Sequence, residues 1–306
     1  MISRRAFRAC IITTACLIIS VVKAAGQQQP IVYTQYMDNQ RPFNSAYSLV
    51  NNVGSVNTLV RKQWVGVDGA PTTFLFDGSI PVPSINASAG LIVYNDKFTI
   101  ERQTNVTGYF AKAVQVGKNQ FLAVSLNAGF MNYSANYSSL DSSDPQFAND
   151  VRQTDPTVGV GIMYFSDWYY AGISVPQIAI RASGSSTDKS RIPFKNHYYI
   201  SGGLITPISE DVQFKPATLI SITNGLPTTA DISGTFYLKN QFGLGVNYRT
   251  NKQAAGIMSL NFDQFHIGYS YEFGTSSQNL GRFNLATHEV TLGYRFGKGS
   301  ASSQSL

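Results

Sequence analysis

Two-residue alternation dominates this chain and is cleanest toward its C-terminus. Phe265, Ile267, Tyr269, Tyr271 and Phe273 fall on one face of a segment whose other face carries His266, Gly268, Ser270, Glu272 and Gly274. Val290, Leu292, Tyr294 and Phe296 oppose Glu289, Thr291, Gly293 and Arg295 in the same way. Phe242, Leu244, Val246 and Tyr248 likewise oppose Gly243, Gly245, Asn247 and Arg249. A period of two sends successive side chains to opposite sides of a strand, whereas a helix repeats every 3.6 residues. The pattern predicts strands at 55–64, 72–80, 85–94, 103–116, 119–131, 156–165, 168–180, 195–206, 211–224, 229–239, 242–250, 254–261, 264–274 and 284–296. Most run about nine to thirteen residues, enough for a tilted strand to cross a bilayer and longer than the roughly five or six usual in soluble sheets.

The connections sort by length. With the N-terminus on the periplasmic side, the even-numbered ones are short: Pro81-Val82-Pro83-Ser84, Gly117-Lys118, Ser166-Asp167, Thr206 to Glu210, Asn240-Gln241 and Phe262-Asp263. The odd-numbered ones include 132–155, 181–194 and 275–283, long and rich in Ser, Asp, Asn and Gly, although 225–228 and 251–253 are brief. Outer-membrane barrels carry tight turns at the periplasmic rim and longer loops outside. In hydrocarbon every backbone N–H and C=O needs a protein partner, which strands achieve only by pairing the first with the last. The expected fold is all-β, a transmembrane antiparallel β-barrel of about fourteen strands with both termini periplasmic. No stretch of about eighteen apolar residues offers a helical crossing.

Composition adds an address and removes some chemistry. Arg4, Arg5 and Arg8 form a basic start, Ala9 to Val22 an apolar stretch too short to span, and Ala24-Ala25-Gly26 a small-residue cleavage site, so 1–26 reads as a signal peptide. Both cysteines, Cys10 and Cys16, leave with it, and so do four of the 23 basic residues (the three arginines and Lys23). The mature chain then holds 19 basic against 17 acidic residues and points to no nucleic-acid partner. No linker divides what remains. The expected organisation is a periplasmic N-terminal segment over 27–54, the barrel over 55–297 and a tail over 298–306, in the outer membrane and in contact with its lipid. Within the first of these, Arg41 to Val50 makes either a short helix plugging or abutting the periplasmic mouth or an ordered strap.

Candidate chemistry is sparse. His197, His266 and His288 lie far apart, with no nucleophile elbow or His-Glu-x-x-His helix beside them, so the chain is read as no enzyme and as binding no cofactor or metal. His266 and Glu272 share a strand face and read either as a proton pair or as hydrated lining. Asp141, Asp144, Asp150 and Asp155 fall in a predicted outer loop but lack the glycine and terminal glutamate of a calcium loop. Arg249, His266, Glu272, Glu289 and Arg295 are expected to line the lumen; the charged ones either border an aqueous channel or pair across a closed interior. Outward Tyr271, Phe273, Tyr294 and Phe296 fit an interfacial girdle.

Tyr33-Thr34-Gln35-Tyr36-Met37-Asp38-Asn39, then Asn44-Ser45-Ala46-Tyr47, then Gln63-Trp64-Val65-Gly66 and Gly69-Ala70-Pro71, resemble the opening of the PorP/SprF family of type IX secretion and gliding-associated outer-membrane proteins. The terminal strand ending Tyr294-Arg295-Phe296 fits the same family. Ser45 departs from its usual proline, and Ser48 stands where the family tends to continue with Ala-Gly. The resemblance implies a barrel that supports export and surface anchoring of a cognate adhesin by binding its C-terminal sorting domain, and that works with periplasmic components of the apparatus. It marks Tyr33, Gln35, Tyr36, Asn44, Gln63, Trp64, Gly66, Gly69 and Pro71 as expected partner-binding residues. The alternative from the residues alone is a general porin for small solutes; lipid hydrolysis by a barrel enzyme rests only on isolated Ser and His residues.

Overall fold

The computed structural model describes residues 31–140, 149–180, 194–274 and 286–297. The expected signal peptide 1–26, the tail 298–306, Asp141, Asp144 and most of the expected loops 181–194 and 275–283 lie outside them. Among the described residues the strands are β1 (Gly54–Lys62), β2 (Thr72–Val82), β3 (Ala87–Phe98), β4 (Glu101–Gly117), β5 (Gln120–Ala135), β6 (Val151–Ser166), β7 (Tyr169–Ala179), β8 (His197–Leu204), β9 (Thr206–Pro207), β10 (Val212–Thr223), β11 (Thr229–Leu238), β12 (Phe242–Arg249), β13 (Gln253–Phe262), β14 (Phe265–Gly274) and β15 (Thr287–Phe296). Each pairs antiparallel with its neighbours in the chain, and β8 and β9 both pair with β10 as one interrupted stave. β15 returns to β1 in register from Gly54↔Phe296 to Lys62↔His288, closing a fourteen-stave ring.

The ring is inside-out by the standard of a water-soluble protein. In β12, Phe242, Leu244, Val246 and Tyr248 are 58%, 66%, 67% and 48% exposed, while Gly243, Gly245, Asn247 and Arg249 are buried. The same inversion runs through Ile80, Phe110, Leu126, Ile173, Ile232, Phe273 and Leu292. A continuous apolar belt of this kind is matched by hydrocarbon and not by water. No helix among the described residues is long and apolar enough to cross a membrane; the crossing is made by strands. Asn119, Asn240 and Asp263 take the left-handed conformation (φ 55, 57 and 49°) in the tight turns of one rim, where their short polar side chains tolerate it best.

Two boundaries differ from the alternation. β5 and β6 run on past 131 and start before 156, ending at the pair Ala135↔Val151, so residues 132–135 and 151–155 of the expected loop extend the strands as a projecting hairpin. Asn132, Ser134, Arg152 and Thr154 hold the positions that would face lipid lower down, so the ladder continues beyond hydrocarbon where apolar alternation is no longer required. Of the N-terminal segment expected over 27–54, the described part from residue 31 onward packs against the inner face of the ring. From Ile31 to Leu49 nearly every residue is buried within the ring. A barrel of this size is too wide for wall side chains alone to fill, and this segment, a plug, supplies the missing core.

Candidate functional site

Pro42, which lacks an N–H, and a succession of turns keep the plug out of the sheet. The Asn44 side chain accepts from Ala46 N–H at 3.1 Å and caps a short 3-10 helix, Ser45–Leu49. An aromatic spine holds the coil to the wall: Tyr33 stacks on Phe43 (4.7 Å between centroids), Phe43 meets Tyr199 edge-on (5.1 Å), and Tyr47 meets Tyr170 (5.2 Å). Burial pushes the phenols of Tyr33 and Tyr36 above their ordinary value, the Asp77 and Glu289 carboxylates adding to it at Tyr33. Both stay neutral and donate: Tyr33 to Asn39 O at 2.5 Å, Tyr36 to Ala217 O at 2.9 Å.

A polar segment in a lumen needs partners for its backbone, and on one side these are charged. Arg61 meets Glu272 at 3.0 Å and Glu289 at 3.4 Å, and Arg249 meets Glu272 at 3.2 Å and Asp231 at 2.8 Å, all nearly without exposure. Arg61 lies directly across from Glu289, and Asp231 from Arg249, in the strand register. Three carboxylates thus share two guanidinium groups, and the plug supplies further donors. Thr34 N–H and Gln35 N–H donate to Glu289 at 2.9 and 2.8 Å, and the Thr34 hydroxyl to Glu272 at 3.2 Å. Farther along, Asp38 accepts from Tyr237 at 2.9 Å, with Lys215 and His266 each at 3.8 Å. Arg41 bonds Asp77 at 2.5 Å and Ser55 at 2.6 Å, while Asn39 bonds the second Asp77 oxygen.

Along β3 to β8 the plug meets neutral groups. Asn44 donates to the Ile162 and Ile173 carbonyls at 3.0 and 3.3 Å, Ser174 to Phe43 O at 2.7 Å, and Gln40 to the Tyr170 hydroxyl at 2.6 Å; Ser48 and Ser88 share a bond at 2.5 Å. Fit there depends on missing side chains. A Cβ on Gly172 would lie 2.8 Å from Asn44 Nδ2, and one on Gly161 would overlap Asn44 Oδ1.

The expected partner-binding residues therefore divide between two places. Tyr33, Gln35, Tyr36 and Asn44 are buried in the plug, bonded within it or to the wall. Gln63, Trp64, Gly66, Gly69 and Pro71 form the β1–β2 loop on the opposite rim from the tight turns. Gln63 N–H bonds Pro71 O at 3.0 Å, and Trp64, Gly66 and Gly69 turn the chain with φ of 46, 97 and 74°. Trp64 packs edge-on against Phe98 at 6.4 Å.

Of the expected lumen set, Arg249, Glu272 and Glu289 join the ion-pair network, which runs along neighbouring strands of one side of the wall rather than across the lumen. His266 and Glu272 are not a proton pair: His266 bonds Asn261 at 2.7 Å and faces Asp38, whereas Glu272 turns to the two arginines. Arg295 lies half-buried at the tight-turn end. His197 and His288 bond Thr223 and Tyr269 and come nowhere near His266. Of the acidic loop residues, Asp155 is a buried β6 residue, and Asp150 accepts from the Ser138 amide and hydroxyl, which hold its carboxyl below the usual range. Arg61, Asp77, Lys215 and Asp231 escaped the sequence reading, although alternation with their strand neighbours places each of them inward.

The family model described as type IX secretion system membrane protein PorP/SprF matches residues 25–294. No curated protein matches the chain. Among solved structures, the Acinetobacter baumannii outer membrane protein Omp33 is 7% identical, with 80% of this chain and all of that one covered and a TM-score of 0.46. A Pseudomonas aeruginosa FadL homologue is 11% identical (89% and 100% covered, TM-score 0.48). The CymD monoaromatic hydrocarbon channel is also 11% identical (88% and 94% covered, TM-score 0.48).

Proposed function

Because the chain belongs to the PorP/SprF family of type IX secretion system membrane proteins, we propose that this outer-membrane barrel supports export and surface anchoring of a cognate adhesin, whose C-terminal sorting domain it binds at the outer rim. One observation carries this reading over a porin: residues 31–49 are bonded to the wall around most of its circumference, leaving the rim as the surface a second polypeptide can engage. The β1–β2 loop, Gln63 to Pro71, and the projecting β5–β6 hairpin are the parts we assign to the adhesin. Periplasmic components of the apparatus would meet the tight-turn rim, where Leu49, Val50, Phe121 and Phe165 border a pocket of about 210 Å³.

Deleting the gene should remove one sorting-domain adhesin from the cell surface, and a tagged barrel extracted in detergent should carry that adhesin with it. Normal surface display in the deletion strain, with no secreted protein on the tagged barrel, contradicts the reading.

A further inference from the structure

On the lipid-facing side of the wall, directly opposed residues of six adjacent strands form one row: Lys62, His288, Tyr271, Gly256, Val246 and Gly234. The row is slanted. Lys62 is the last residue of β1 and His288 the second of β15, both at the outer end, whereas Gly234 lies in the middle of β11. Its upper end is polar and basic, with the Tyr269 hydroxyl 2.8 Å from His288 Nδ1 and Tyr271 edge-on to the same ring at 5.3 Å. Its lower end is sunken. The outward Gly256 lies beside Val246, and between the ridges of Phe236 and Met258 a groove of about 460 Å³ runs from Gly256 to Gly234, where the Phe214 ring packs over the glycine. A Cβ on Gly256 would meet nothing within 4 Å, so the protein's own packing does not use this space. From Tyr271 to Gly234 the groove crosses three interstrand steps, about 14 Å at the usual strand spacing.

An apolar trough in the hydrocarbon band, leading up to a cation and hydrogen-bonding groups at the membrane surface, has the polarity of an anionic lipid. No acidic side chain shares the row. We propose that this face holds one anionic membrane lipid, with an acyl chain in the Gly256 groove and the headgroup phosphate beside Lys62 and His288. The site depends on the barrel crossing the membrane and is independent of the adhesin reading.

Native mass spectrometry of the delipidated full chain, titrated with phosphatidylglycerol or phosphatidylcholine, tests it. One phosphatidylglycerol should be retained, about fivefold better than phosphatidylcholine, as a single surface lysine would give. Filling the groove with Gly256→Leu should lower retention about tenfold, as displacing a few buried methylenes does, whereas Gly78→Leu, at another outward and open glycine, should leave it unchanged. Lys62→Glu should abolish the preference between the two lipids. Folding of each variant is checked by its heat-modifiable mobility, and if Gly256→Leu does not fold, Lys62→Glu decides alone. Equal retention of both lipids by the unmodified chain, unchanged retention in Gly256→Leu, a preference that survives Lys62→Glu, or a dimer that excludes lipid from this face would each overturn the proposal.

Discussion

The two halves of the lumen hold the same plug by different means. On β10 to β15, β1 and β2, inward Lys215, Glu272, Glu289, Arg61 and Asp77 grip residues 34–41 through charge-assisted bonds, with Arg249 and Asp231 paired behind them in the wall. On β3 to β8, carbonyls, hydroxyls and the absent side chains of Gly161 and Gly172 receive residues 40–48. Buried charges are worth little as a complete set and cost a great deal when one member is removed. Neutral contacts fail one bond at a time. The charged half should therefore be brittle and the neutral half tolerant.

The sharpest way to break this contrast is at Arg61. Arg61→Met leaves Glu289 with no guanidinium and Glu272 with only the one it shares with Asp231, and should cost about 3–5 kcal/mol, read by urea unfolding in detergent micelles. Adding Glu289→Gln should restore more than half of the loss. A cost under about 1 kcal/mol would mean that water reaches these charges and that the halves do not differ. On the other side, Asn44→Ala removes the 3-10 cap and two bonds to carbonyls and should cost about 1–2 kcal/mol; a loss equal to that of Arg61→Met would erase the distinction.

The smallest effect belongs outside both halves, at the projecting hairpin. Asp150 is exposed, and its carboxyl is held low by the Ser138 amide and hydroxyl. Because the folded value is depressed, this local contact is fully present above the ordinary aspartate range and is lost as pH falls through the lowered one. Hydrogen exchange at the Ser138 amide should quicken over that window while barrel stability, like that of Asp150→Asn, stays unchanged.

The wall was legible because membrane and lumen impose opposite demands on alternate residues, as Phe242 to Arg249 show. That signal fades where lipid ends, which is why the outer reach of β5 and β6 was underestimated. It also marks Arg249, Glu272 and Glu289 as inward but leaves their pairing open. Pairing is fixed by register, which sets Arg61 opposite Glu289 and Asp231 opposite Arg249. The plug was the least legible part. Its Tyr, Gln and Asn residues follow no period, and its anchors lie up to 255 residues away in the chain, as between Thr34 and Glu289. The family motif spans both the plug residues Tyr33, Gln35, Tyr36 and Asn44 and the loop residues Gln63 to Pro71, and nothing in its composition separates the two places, because a segment packed inside a barrel carries the polar composition of an exposed one.

The claim beneath all of this is that the N-terminal segment closes the barrel from within. Planar-bilayer recording of the purified full chain tests it most directly: the account predicts a silent protein, with stepwise conductance appearing only when residues 31–49 are deleted. Steady conductance from the unmodified chain would contradict it.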